Sequence, residues 1–280
     1  MRARALLPFL SSLAAALTPP SYPGFRTLWA EDFPGSAGDL PNSGNWEFRL
    51  EDFQVNNEVQ RYQRNPHNIQ ISGGGTVQIV PRNSGGKWTS GRIESKQAHC
   101  PQPGKIMLVE SVIRFGDHPR DRKQGIWPAF WMLGESVRHG TNWPMCGELD
   151  IMETVNGAPT AYGTVHCGSP SGGPCNEPVG RPATVDLHDN DWHRWTLRID
   201  LTSGDWRAQQ IQWLKDGNVF STVRGADIGD QGVWGTLAHS PMIIILNLAV
   251  GGSWPGPPNA NTADSWGSMM EVEYVAVYSN

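Results

Sequence analysis

The sequence predicts an all-β protein, a sandwich or jelly roll of two antiparallel sheets. Short runs rich in β-branched and aromatic residues recur along it, bounded by Gly, Pro, Asn and Asp, as in "TVQIVPR", "KIMLVESVIRF", "PAFWML" and "PMIIILNLAV". Apolar residues at helical spacing are nearly absent. The 280 residues carry neither a low-complexity linker nor a repeat of fixed period, so one large domain fits them better than two small ones. Many short strands in a chain of this size suit two stacked antiparallel sheets.

Taken in order, the chain begins "MRARALLPFLSSLAAALTPP", where Arg2 and Arg4 precede an apolar run from Ala5 to Leu17, followed by small residues and prolines. This reads as a secretory signal peptide over residues 1–18, leaving 19–280 as the exported domain. The run is too short to span a bilayer, and no later stretch is long and uncharged enough to do so. A soluble, secreted, extracellular protein is therefore expected. Further strand-like runs follow, "ELDIME", "AYGTVHC", "RWTLRIDL" and "QIQWLKDG" among them. The last, "MEVEYVAVYS", alternates cleanly, which predicts a half-buried strand tying the C-terminus into a sheet.

A net charge of -5 with both signs interspersed offers no basic stripe for nucleic acid and no polybasic patch for a membrane. A neutral partner is expected. Four cysteines, Cys100, Cys146, Cys167 and Cys175, in a chain that reads as exported favour pairing. "HCGSPSGGPC" closes a short Gly/Pro-rich loop, which pairs Cys167 with Cys175 and leaves Cys100 and Cys146 for a second bridge. There is no CxxC pair, and His166 beside Cys167 is badly spaced to share a zinc ion with it. The 13 Trp equal the 8 Phe and 5 Tyr together, an excess of Trp that core packing alone rarely calls for. A Trp offers a flat apolar face with an N–H at its edge, suited to a pyranose ring in a wet groove.

The segment "GELDIMETVNG" places Glu148, Asp150 and Glu153 within six residues. Side chains alternate on a strand, so Glu148 and Asp150 share a face while Glu153, at an odd offset, should point to the other. A β-bulge at Ile151 or Met152 adds one residue and restores Glu153 to the common face. The glutamate backbones then stand roughly 13 Å apart, and long side chains leaning inward bring the carboxyls towards each other. Hydrolysis of a glycosidic bond with retention needs a nucleophilic carboxylate and a carboxylic acid about 5 Å apart. Crowded negative charge helps keep one proton in such a row. A merely solvated strand face is the poorer explanation, because acidic residues are depleted in strands and like charges on one face repel.

These residues carry a resemblance. "GELDIMETVNG" resembles the catalytic signature of glycoside hydrolase family 16, in the bulged form of its laminarinase-like (endo-β-1,3-glucanase) branch. The likeness extends in order through "WAEDF", "NNEVQRY", "WTSGRIESK", "GIWPAFWMLG", "GTVHCG", "DGNVF", "LNLAVGGSWPG" and "VEYVAVYS", nearly the whole predicted mature chain. It implies a concanavalin A-like jelly roll whose concave sheet lines an open cleft, and endo-hydrolysis of a β-linked polysaccharide by double displacement.

Residue by residue, the resemblance implies Glu148 as nucleophile, Glu153 as general acid/base and Asp150 as the assisting carboxylate, with His166 near the row. Asn57, beside Glu58, together with Arg92, Trp127, Trp131, Trp143 and Trp254, is implied to line the substrate groove. No cofactor is implied, and no metal at the site. A structural calcium ion on the convex face, with Glu31 and Glu273 contributing, is also implied. The expected substrate is β-1,3 or mixed β-1,3/1,4 glucan and the expected state a monomer. Thr154 after the second glutamate, the lack of an aromatic after His166 and Ser253 in "GGSWPG" depart from the commonest pattern and bear on specificity. A β-1,3-galactanase or a transglycosylase on the same fold, and a lectin that uses the tryptophans for binding alone, are the alternatives.

Overall fold

The computed structural model describes residues 18–50 and 55–280. The predicted signal peptide therefore falls almost wholly outside the described residues. Eighteen strands follow in chain order: β1 (Arg26–Glu31), β2 (Trp46–Phe48), β3 (Gln60–Tyr62), β4 (Ile69–Ile71), β5 (Val77–Ile79), β6 (Arg82–Ser84), β7 (Lys87–Ser90), β8 (Arg92–Ser95) and β9 (Ile106–Phe115); then β10 (Ile126–Gly134), β11 (Glu148–Glu153), β12 (Thr160–His166), β13 (Arg181–Asp186), β14 (His193–Asp200), β15 (Gln210–Lys215), β16 (Asn218–Arg224), β17 (Met242–Val250) and β18 (Met270–Ser279). The outer sheet runs β16-β15-β14-β9-β18-β5-β4, with β1 added on β18, and the inner one runs β13-β12-β11-β10-β17-β8-β2. A small sheet of β3, β7 and β6 stands apart from them. The architecture is the predicted all-β jelly roll.

The two large sheets close on one core, in which Phe130, Met132, Leu149 and Leu246 of the inner sheet meet Val109, Leu197, Ile211 and Val275 of the outer. β17 is a continuous apolar run because both of its faces are covered. Met242, Ile244, Leu246, Leu248 and Val250 enter the core, while Ile243 and Ile245 pack with Leu133 and Cys146 on the other side. Asn247 is the polar exception in that run.

Three expectations need correction. β18 is almost wholly buried rather than half-buried, because Tyr22 and Phe25 from the start of the described chain pack on its second face against Tyr274, Ala276 and Tyr278. Cys167 and Cys175 are bonded, but Cys100 and Cys146 are free thiols. Cys100 turns its sulfur to the carbonyls of Pro101 and His239, whereas Cys146 is buried among Leu133 and Ile243. Core packing also takes Trp46, Trp88, Trp195, Trp213 and Trp234, so much of the Trp excess is structural. A short helix over Gln231–Ala238, capped by Asp230 Oδ1 on the Val233 N–H, was hidden by its two glycines. Among the described residues no helix is long and apolar enough to cross a membrane. Of the pair considered for calcium, Glu31 already accepts from Phe33 N and Asn45 Nδ2, while Glu273 keeps a buried oxygen without a partner.

Candidate active site

The predicted bulge is present, and the pairing on both sides of β11 locates it. Towards β10, Glu148 lies opposite Leu133, Asp150 opposite Trp131 and Glu153 opposite Ala129, while Leu149 and Met152 oppose Met132 and Phe130. Ile151 is the extra residue. Towards β12, the three acids face His166, Thr164 and Tyr162, again with a shift between Asp150 and Glu153. Partners two apart on a regular strand share a face, so all three carboxylates lie on one side of the sheet. Leu149, Ile151 and Met152 point into the core.

The bulge is held from the opposite sheet. Trp213 of β15 donates its indole N–H to the carbonyl of Asp150 at 2.7 Å. The indole reaches that carbonyl because Gly163 of β12 lies beneath it: a Cβ there would stand 2.5 Å from Trp213 Cδ1. A buried carbonyl freed by the broken ladder thus finds a donor.

Ranks of side chains continue across the sheet on the carboxylate side. One runs from Tyr162 through Glu153, Ala129 and Asn247 to Arg92, and its neighbour runs from Thr164 through Asp150, Trp131 and Ile245 to Glu94. Trp127 donates from Nε1 to Glu153 Oε1 at 2.9 Å. Its ring meets Trp254 edge-on at 5.5 Å, and Trp254 meets Tyr162 at 4.9 Å. Trp254 is 44% exposed and Trp143 is 38% exposed, which leaves both indoles open to a ligand. Trp143 stands 5.5 Å from the His166 ring.

Arg92 is buried, with Nη2 on Glu94 Oε1 at 2.7 Å and its guanidinium 4.9 Å over the Trp131 ring. Trp131 also donates to Asn247 Oδ1 at 2.7 Å; Asn247 donates to Tyr62 Oη, and Tyr62 donates to Glu58. Asn57, in a left-handed conformation at φ 59°, donates to Ser253 Oγ at 2.8 Å. The residue that departs from the family pattern thus ties down the loop carrying Asn57.

Burial drives the titration of the row upward. Glu148 is lifted to about 8 by burial and by the charge of Glu153, against the pull of Arg92 and the Trp143 indole. Asp150 is held well above the usual carboxylate range by burial and by Glu153 and Glu148. Glu153 is raised to about 7 by burial, opposed by the Trp127 N–H. For Glu153 burial, rather than the crowding of charge expected from the sequence, is the larger cause of a retained proton. Glu58 is likewise raised by burial, whereas Arg92 and Arg49 hold Glu94 low despite its burial.

Sequence reasoning missed Tyr62, Tyr162 and Asn247, and above all Glu177. Glu177 lies just past the disulfide-closed loop and places Oε2 2.7 Å from His166 Nδ1, while Oε1 accepts the Cys167 N–H. His166 Nε2 is thereby aimed at the row, 3.6 Å from Asp150 Oδ2.

Comparison with known proteins bears on the family of the chain. The family described as "XgeA-like, catalytic GH16 domain" matches residues 41–185. The glucan endo-1,3-beta-glucosidase of Cryptopygus antarcticus is 30% identical over 263 residues, covering 88% of this chain and 89% of that protein. The clotting factor G alpha subunit of Tachypleus tridentatus is 28% identical over 265 residues, 92% of this chain, but the chain spans only 34% of its length. The solved endo-1,3-beta-glucanase from Streptomyces sioyaensis superimposes with a TM-score of 0.87 at 33% identity, covering 95% of this chain and 99% of that one. With the family match spanning the bulged carboxylate row and the fold shared over 95% of the chain, the chain belongs to glycoside hydrolase family 16.

Proposed function

We propose that the protein is a secreted, endo-acting retaining β-glycanase that hydrolyses β-1,3 or mixed β-1,3/1,4 glucan. The observation that carries this reading is the bulge that sets Glu148, Asp150 and Glu153 on one face, beneath Trp127 and beside exposed Trp254 and Trp143. Glu148 attacks the anomeric carbon, and the bond to the leaving sugar breaks as Glu153 gives its proton to the glycosidic oxygen. Glu153 then takes a proton from water, which attacks the glycosyl-enzyme and restores Glu148. The buried row as a whole holds a proton towards neutrality, on Glu148 and Asp150 as well as Glu153, and this shared proton is the one that Glu153 delivers in the proposed step. Asp150 lies between the two glutamates and keeps negative charge and proton shared within the row. The bonds of Trp127 to Glu153 and of Arg92 to Glu94 support a rigid floor for the sugar.

The names of the relatives support a glucan, since beside the Cryptopygus protein stands a Beta-glucanase of Rhodothermus marinus, and the endo-1,3-1,4-beta-glycanases of Rhizobium meliloti support the mixed linkage. A galactan is the second reading, favoured by a 31% identity over 55% of the chain to a keratan-sulfate endo-1,4-beta-galactosidase of Sphingobacterium multivorum. Product analysis on β-1,3-glucan, mixed-linkage glucan and β-1,3-galactan separates them. Internal cleavage of the glucans with galactan untouched is the expected result. Cleavage of galactan alone would reverse the assignment, elongated products would indicate transfer to sugar, and saturable binding without turnover would mark a lectin.

A further inference from the structure

His166 stands between carboxylates on both sides. Its Nδ1 faces Glu177, whose side chain is fully buried and whose second oxygen is occupied by the Cys167 N–H. Its Nε2 lies 3.6 Å from Asp150 Oδ2 and 4.0 Å from Glu148 Oε1. The three atoms fall within 4.8 Å of one another. Asp150 is only 3% exposed, and its Oδ2 is buried with no hydrogen-bond partner. A buried carboxylate oxygen that accepts no hydrogen bond and faces a ring nitrogen and a second carboxylate is placed to ligate a cation.

Bonds of about 2.0–2.1 Å at tetrahedral angles set ligand atoms roughly 3.4 Å apart, so these three atoms need only small inward shifts to share one ion. One imidazole and two carboxylates with an open fourth position suit a borderline transition metal, whereas calcium and magnesium prefer oxygen alone. A carboxylate on the far ring nitrogen, as Glu177 provides, is the usual support of a metal-binding histidine, because it keeps the proton on Nδ1 and turns the Nε2 lone pair to the metal.

We propose that Glu148, Asp150 and His166, with Glu177 behind the histidine, form a reversible binding site for Zn2+ or a similar transition-metal dication, and that an ion bound there shuts the enzyme off. The inhibition rests on Glu148 as the nucleophile; the binding does not. An ion on Glu148 holds the lone pair needed for attack and fills the space of the anomeric carbon. No bond of the protein or substrate breaks, and the ion leaves when chelated.

The test is calorimetric titration of Zn2+ into the full chain near neutral pH without substrate, in a Cys100→Ser background that removes the partly exposed thiol. One ion per chain is expected, with Co2+ in its place giving the visible absorption of a tetrahedral site. His166→Gln should abolish binding, and Glu177→Gln should weaken it by about 10- to 100-fold. Zn2+ should also raise the unfolding midpoint of the parent, a readout that needs no variant to fold. Absence of saturable binding, or binding unchanged in both variants, overturns the site. Hydrolysis of β-1,3-glucan should fall with the same constant and return with EDTA; binding without inhibition overturns the regulatory half. A parent that binds Zn2+ but never cleaves glycan leaves the metal site standing and rejects the hydrolase reading instead.

Discussion

Replacing Trp213 with Phe removes one atom's worth of hydrogen bonding far from any sugar, yet it should damage the active site. The indole N–H is the donor that satisfies the Asp150 carbonyl at 2.7 Å, inside a core where both residues are buried. An orphaned buried carbonyl costs about 1–3 kcal/mol. The cavity left by the smaller ring adds to it, so unfolding in urea should show a loss of about 2–4 kcal/mol. The carbonyl then seeks another donor, which shifts the bulge and moves Glu153 relative to Glu148. A displacement of about 1 Å at reacting groups can cost 100-fold, so kcat should fall by roughly 10- to 100-fold with KM less affected. Gly163→Ala approaches from the other side: its Cβ would lie 2.5 Å from Trp213 Cδ1 and 3.0 Å from Nε1, pushing the indole off the carbonyl. Steady-state kinetics and urea unfolding of both variants check this. If Trp213→Phe keeps its stability to within about 0.5 kcal/mol and its kcat to within about twofold, the bulge is held by something other than this bond.

Three further outcomes are expected. Glu148→Gln should remove nearly all turnover while isothermal titration still detects oligosaccharide binding, because the amide keeps the shape and loses the nucleophile; turnover within about fivefold of the parent would displace Glu148 from that role. Glu153 and Glu148 titrate at about 7 and about 8 in the fold against an ordinary 4.5, and a carboxyl that holds its proton more tightly when folded stabilises below its unfolded value and loses that contribution as pH rises through the folded one. Urea midpoints should therefore fall between about pH 4.5 and 8, and Glu153→Gln should flatten the decline and exceed the parent by about 1–3 kcal/mol at its upper end; parallel curves would contradict this. Opening the Cys167–Cys175 loop by Cys→Ser at both positions should cost about 2–3 kcal/mol from loop entropy and, by loosening Glu177, lower activity beyond what the stability loss explains, as residual kcat at low temperature will show.

The bulge was legible because it violates a rule: three acids on a period of two cannot share a face without an extra residue, and Ile151 supplies it. The loop disulfide was legible from its short, turn-rich spacing. What holds these features was not. Trp213 and Gly163 lie 63 and 13 positions from Asp150, and nothing local in "QIQWLKDG" or "AYGTVHC" marks a bond across the sandwich. Glu177 reads as one more polar loop residue until the chain turns it under His166. The burial of β18 depends on Tyr22 and Phe25, some 250 residues away, so its alternation spoke only of one face. The state of Cys100 and Cys146 was not legible, because parity of cysteines says nothing of where their sulfurs point.

The central claim is that Glu148 forms a covalent glycosyl-enzyme and Glu153 acts as acid and then base, and azide rescue of Glu153→Ala on an activated aryl β-glycoside tests it most directly. Without Glu153 the first step survives because the good leaving group needs little protonation, and the intermediate waits for a nucleophile that needs no base. Added azide should restore turnover and give a β-glycosyl azide by proton NMR. An α-glycosyl azide would mean inversion at the anomeric carbon and would contradict the double displacement assigned to Glu148 and Glu153.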